Sequence, residues 1–242
     1  MRATLVQFPV SHYCEKARWA LDHAGIAYDV KNVAFVEHLW AVPRLAKGHK
    51  TVPVLVADGV VLRDSNDILR WADAQAKTSL FPTNEPARTE VESFVRFFDE
   101  ELGRAVRVVA YSHLLPDLGA FRRAAFGELT GARRRLSELA APLLRAGIRR
   151  HYGISRRAAR SEETLRTAAE RCDRALGRRE HLVGDTLTAA DVVGASLWAP
   201  LLDVPGTPWA GIEVPALAKL RDELMARPIG RWVHGVYARH RH

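Results

Sequence analysis

The chain has 242 residues, 48% of them hydrophobic and 26% charged, the balance of a soluble globular protein with room for one large domain or two ordinary ones. No stretch approaches the roughly 18 consecutive apolar residues of a membrane span, and the start, Met1 to Pro9, lacks the apolar core and small-residue cleavage site of a signal peptide. Two cysteines, Cys14 and Cys172, exclude a disulfide scaffold. They fit a reducing compartment, so a cytoplasmic location is expected.

The net charge of +8 is unevenly placed. Residues 1–80 hold ten Lys or Arg against eight acids, whereas residues 121–179 hold sixteen Arg against six, a local excess of +10. A basic stretch of this kind marks either a polyanion-binding surface or a set of solvated helix faces. The lack of aromatic residues interleaved as stacking platforms favours solvated faces over nucleic acid.

In chain order, Thr4–Phe8 is a β-prone run stopped by Pro9. Ala17, Ala20, Leu21 and Ala24 then repeat at helical spacing, with Gly25 placed to end the helix in a left-handed turn. Ala27–Val33 reads as a second strand and Glu37–Leu45 as a helix interrupted by Pro43. Val52–Val56 and Val60–Leu62 flank Asp58-Gly59, a hairpin signal. Ser65, Ile68, Leu69 and Ala72 give a further amphipathic helix. The order β-α-β-α-β-β-α predicts an α/β unit with a mixed sheet.

Thr78–Pro86 reads as a linker, and the remainder is helical throughout. The predicted organisation is therefore a first domain over 1–80 and an all-helical domain over 86–242. Within the latter, helices are predicted over Arg88–Val109, around Glu128–Leu144 and around Ser161–Leu176, with a loop or broken helix from Gly153 to Arg160. Val91, Phe94, Val95, Phe98 and Leu102 share one face of the first of these.

Three short segments carry chemistry. Ser11 stands between the first strand and the first helix, where a hydroxyl caps the helix. The same place concentrates unpaired N–H groups and positive dipole, which favours an anion and so a thiolate over a thiol. Val52-Pro53 opens a strand; a cis bond there would turn the Val52 amide and carbonyl outward to pair with an extended peptide. Asp64-Ser65 opens a helix, and its amides and hydroxyl can either cap that helix or hold a carboxylate. Further on, Thr188 and Asp191 have the spacing of a capping box with Asp in place of the usual Glu or Gln. Cys14, inside the first helical turn, and Cys172, in mid-helix, read as small helix residues. His12 reads as a solvent-facing loop residue in preference to one that tunes the Ser11 site. No histidine cluster has the spacing of a closed metal site, so no metal is expected.

In this order, the motifs over residues 3–77 and the Thr188–Asp191 segment resemble the glutathione transferase superfamily. The resemblance implies an α/β thioredoxin-like domain (β-α-β-α-β-β-α) that binds glutathione, followed by an all-α helical domain. It implies that Ser11 hydrogen-bonds the glutathione sulfur and that Val52 and Pro53 meet the cysteinyl backbone. Asp64 and Ser65 would hold the γ-glutamyl group, the Asp being shorter than the usual Glu. His49 and Lys50, with Arg44 a weaker candidate, would face the glycyl carboxylate. The implied activity is detoxifying transfer of glutathione, a co-substrate, to a small electrophile by a cytoplasmic homodimer with no membrane partner. Phe94, Phe97, Phe98, Tyr111 and His113 are candidates to line the electrophile's site, although aromatics so placed read first as core. The alternative is a non-catalytic binding or structural module that keeps the same fold. A glutaredoxin-like motif is also similar, but Ser11 stands where thiol–disulfide exchange needs a nucleophilic thiol.

Overall fold

A computed structural model describes residues 2–34, 37–127 and 129–241. The chain divides into two compact units, Met1–Leu80 and Phe81–His242.

The first unit contains β1 (Ala3–Gln7), α1 (His12–His23), β2 (Asp29–Asn32), α2 (His38–Leu45), β3 (Val54–Ala57), β4 (Val60–Leu62) and α3 (Ser65–Asp73). Its sheet has the order β2-β1-β3-β4. β2 runs parallel to β1, whereas β3 is antiparallel to both β1 and β4. Strand alternation sends Val6 and Val54, a register pair, to one face. There they pack with Val33, just after β2, and with Ala41, Val42 and Ala46 from the α2 region. Leu5 and Leu55 point to the opposite face and are fully buried.

Local chemistry accounts for the boundaries. Gly25, at φ 67°, ends α1 in a Schellman turn. In that turn the Ile26 N–H donates to Leu21 O and the Gly25 N–H to Asp22 O. The β3–β4 reversal is a two-residue turn in which Asp58 and Gly59 have φ of 42° and 86°, the positive pair that Asp-Gly supplies at least cost. Both outcomes follow the sequence reading, as does the element order.

The second unit is helical: α4 (Glu85–Phe97), a π-helical turn (Phe98–Leu102), α5 (Gly103–Leu114), α6 (Leu118–Phe126), α7 (Gly131–His151), α8 (Ile154–Leu176), α9 (Ala189–Leu202), α10 (Pro215–Met225) and α11 (Pro228–His240). The helix expected over Arg88–Val109 is thus two helices joined by the π turn, although Val91, Phe94, Val95, Phe98 and Leu102 are all buried as predicted. Of the loop or broken helix expected over Gly153–Arg160, the structure has a broken helix. The break is confined to Tyr152 and Gly153, the latter at φ 60°, and α8 starts at Ile154, which is buried and anchors the first turn. Glu128, the expected start of the next predicted helix, lies outside the described residues, and α7 begins at Gly131.

The core of this unit is organised around α9, which is buried from Ala189 to Ala199. Asp191 is completely buried and its carboxylate accepts from the Thr188 N–H, the Thr188 hydroxyl (both 2.9 Å) and the Leu182 N–H (2.8 Å). This capping box therefore also ties down the preceding loop. Among the described residues no helix is long and apolar enough to cross a membrane. Nor do three or more His, Cys, Asp or Glu gather where they could hold a metal ion.

Candidate functional site

The sheet register decides where the three motifs lie. β1 ends at Gln7, and Val6 is opposite Val54, so the start of β3 sits beside the end of β1. Leu62, the last residue of β4, is opposite Leu55, so β4 ends at the same edge. The Ser11 loop, the Val52-Pro53 segment and the Asp64-Ser65 helix start therefore leave the sheet from one end, the kind of place where α/β folds gather ligands. His49 and Lys50 lead into the same end.

Ser11 is the N-cap of α1, in extended conformation (φ −88°, ψ 119°), and its Oγ accepts from the Cys14 N–H at 3.4 Å. The loop before it is fastened by a network that the sequence reading did not single out. Glu15 and Arg18 pair at 2.6 Å, one turn apart on α1, and are only 5% and 12% exposed. Arg18 also donates to Gln7 Oε1 and to the Pro9 carbonyl (3.3 Å), and Gln7 Nε2 donates to Asn32 Oδ1 at 3.1 Å. One guanidinium thus joins the end of β1, the loop and the first turn of α1. Opposite charges at i and i+3 beside a cap residue were the available signal.

A second tie spans α1 and α3. Lys16 is fully buried and its Nζ donates to Asn66 Oδ1 at 3.3 Å. Asn66 in turn donates its N–H to Asp64 Oδ1 at 2.7 Å, which makes Asp64 the N-cap of α3. Part of the Asp64 carboxylate is therefore committed to capping. Ser65 is 3% exposed, and among the described residues its hydroxyl has no hydrogen-bond partner.

The Val52-Pro53 peptide bond is cis. Among the described residues neither the N–H nor the carbonyl of Val52 has a backbone partner. His49 Nε2 lies 2.7 Å from the Thr51 hydroxyl, whereas Lys50 is exposed and pairs with no carboxylate among the described residues. Arg44 donates to the Trp40 carbonyl and lies over its indole ring.

The remaining candidates separate clearly. Cys14 is completely buried, and burial pushes its thiol up despite the opposing Ser11 hydroxyl. Cys172 is likewise buried, its thiol pushed up to about 12 by desolvation. Both are packing residues, as read. His12 corrects the expectation of a solvent-facing side chain: it is 6% exposed, the first residue of α1, its ring tilted against that of Tyr13 at 4.6 Å. Phe94 and Phe98 belong to the core of the second unit. Phe97 is half-buried beneath Arg171, whose guanidinium lies 4.3 Å from its ring centre. Tyr111 and His113 are half-buried, Tyr111 stacked on Tyr152 at 5.7 Å.

Comparison with known proteins bears on the fold and the family. The family model described as the glutathione S-transferase N-terminal domain matches residues 5–80, and that of the C-terminal domain matches residues 139–228. No curated protein matches the sequence. Among solved structures, the beta-etherase LigF from Sphingobium sp. strain SYK-6 is 17% identical, with a TM-score of 0.63 over 96% of this chain and 98% of that one. A glutathione S-transferase from Methylobacterium radiotolerans, in complex with glutathione sulfonate, is 22% identical, with a TM-score of 0.57 over 96% and 93%. A glutathione S-transferase-I bound with lactoylglutathione is 20% identical, with a TM-score of 0.59 over 97% and 99%. At these identities the structures establish a shared fold, and the two family models establish descent: the chain belongs to the glutathione transferase superfamily.

Proposed function

We propose that this protein is a glutathione-dependent transferase that stabilises the glutathione thiolate for attack on a small electrophile, with residues 1–80 as its glutathione-binding domain. The observation that carries the reading is the convergence of Ser11, Val52-Pro53 and Asp64-Ser65 at one end of the sheet, with Ser11 at a helix N-cap.

In this reading the Ser11 O–H donates to the sulfur, and the dipole of α1 adds to the preference for negative charge there. Each unit by which the thiol pKa falls is worth about 1.4 kcal/mol. The Val52 N–H and carbonyl pair with the cysteinyl backbone. The unpartnered Ser65 hydroxyl and the outer oxygen of Asp64 hold the γ-glutamyl end, while Lys50 and His49 meet the glycyl carboxylate. The thiol proton passes to solvent, a sulfur lone pair forms the S–C bond, and the leaving group departs with the electrons of the bond that breaks. Ser11 and α1 supply charge stabilisation, and the other contacts supply positioning. Arg18 and Glu15 act as positioning residues through the loop that carries Ser11. The same reading has the protein act as a cytoplasmic homodimer in detoxification.

The test is calorimetric titration of glutathione into the wild type and Ser11→Ala, paired with conjugation of a nitro-activated aryl chloride. Both proteins are expected to bind glutathione, with turnover in the variant lower by about a hundredfold, the scale of one lost oxyanion-type donor. Absence of glutathione binding by the wild type overturns the proposal in favour of a non-catalytic module.

A further inference from the structure

The Arg-rich region contains an outward face that the transferase reading does not use. On α7 the buried residues are Ser137, Ala141 and Ile148. The opposite side carries Leu136, Leu139 and Leu143, which are 68%, 79% and 81% exposed and are the three most exposed large hydrophobic side chains among the described residues. Ala132, Leu136, Leu139, Leu143 and Ala146 succeed one another at alternating steps of four and three, the spacing of a helix–helix seam. Single exposed leucines need no explanation, but a straight row at seam spacing on one helix does.

The charges beside this row select the kind of partner. With the leucines at the seam positions, Arg133, Arg135 and Arg149 fall at the flanking positions that face a neighbouring helix across the seam. From residue 129 to residue 160 the chain has nine Arg and one acid, Glu138, which already pairs with Arg134 at 2.9 Å. Among the described residues Arg135 and Arg149 have no carboxylate partner. A second copy of α7 would set arginines against arginines. A phosphate backbone has no use for a leucine row, and α7 offers no Phe, Tyr or Trp for base stacking or for a lipid interface. A helix with apolar residues at its own seam positions and Glu or Asp at its flanks satisfies both the leucines and the arginines.

We infer that the outward face of α7 is a docking seam for an acidic amphipathic helix of a partner protein. Leu136, Leu139 and Leu143 are its apolar anchors, and Arg133, Arg135 and Arg149 set orientation and steer encounter. The inference is independent of the transferase reading, because none of these residues belongs to the first unit.

The experiment uses the full chain and a labelled synthetic peptide of about three heptads, with Leu at its seam positions and Glu at its flanks. Fluorescence anisotropy is expected to show saturable binding that weakens several-fold as salt is raised. Leu139→Gln combined with Leu143→Gln, both at exposed positions and so compatible with an unchanged fold, is expected to weaken it by at least about tenfold. A peptide with Lys in place of Glu is expected not to bind. Failure of the acidic peptide to bind, or equal binding by the double variant, overturns the inference. So does Leu139-dependent pelleting with phosphatidylserine vesicles without peptide binding, which would assign the face to a membrane. A concentration-dependent dimer abolished by Leu139→Gln, again without peptide binding, would assign it to a second copy.

Discussion

In α9 every residue from Ala189 to Ala199 is buried, and the one charge, Asp191, is spent on three hydrogen bonds that close the helix start. In α7, a longer helix of the same unit, only Ser137, Ala141 and Ile148 are buried, while three leucines and most arginines face outward. The first is apolar on all sides and must be internal; the second is held to its unit by small residues and turns its largest apolar side chains away. The difference separates two uses of hydrophobic side chains: one organises a core, and the other is left for something outside the chain.

Substitutions can break or sharpen that contrast. The largest effect is expected for Asp191→Ala, which strands the buried Thr188 and Leu182 donors and should cost about 3–5 kcal/mol, read as a fall in the urea midpoint. A near-neutral outcome would mean that water replaces the carboxylate and that α9 does not depend on its cap. Gly194→Ala comes next. A Cβ there would lie 2.8 Å from Phe98 Cε2 and 3.1 Å from Trp232 Cη2, both in packed rings. Overpacking of about 1–3 kcal/mol should follow, and wild-type stability would show that α9 can shift within its surroundings.

The thiols report the core through pH. With Cys172 pushed up to about 12 by burial, the unfolded chain releases that proton first. Stability is therefore fully present below the ordinary thiol range, near 9, and declines as pH rises toward about 12. Cys14 shifts in the same direction. Alkylation at mildly alkaline pH should accordingly modify neither residue until denaturant is added, and rapid labelling of the folded chain would contradict their burial. The smallest effect is expected for Leu139→Gln on α7, within about 0.5 kcal/mol in the same urea experiment. A large loss there would show that the leucine row packs within this chain and is not an open seam.

Much of the first unit was legible because its signals are local. Gly25, Asp58-Gly59 and the caps at Ser11 and Asp64 act within a few residues of themselves, so the order of elements could be read along the chain. Thr188 and Asp191 were legible for the same reason, but their hold on Leu182, nine residues upstream of Asp191, was not. Where reading failed, a neighbour distant in sequence or a change in helical winding had decided the outcome. His12 looked like a loop residue and is buried in the first turn of α1. Gly153–Arg160 read as a loop or a broken helix, and the break stops at Gly153 because Ile154 anchors a helix that solvated arginines do not oppose. The π turn over Phe98–Leu102 leaves the apolar pattern unbroken and so left no trace in periodicity.

By itself, the sequence determined the strand and helix order, the helix caps, the tight hairpin and the membership of Ser11, Val52-Pro53 and Asp64-Ser65 in recognisable motifs, since each depends on backbone chemistry within a turn or two. Only the tertiary structure decided that those motifs share one end of a sheet, because that depends on strand direction and register between segments some fifty residues apart. It alone decided that Arg18 joins Gln7, Pro9 and Glu15, and that Lys16 reaches Asn66. Long charged side chains can serve solvent or a buried partner equally well, and burial imposed by packing selects which.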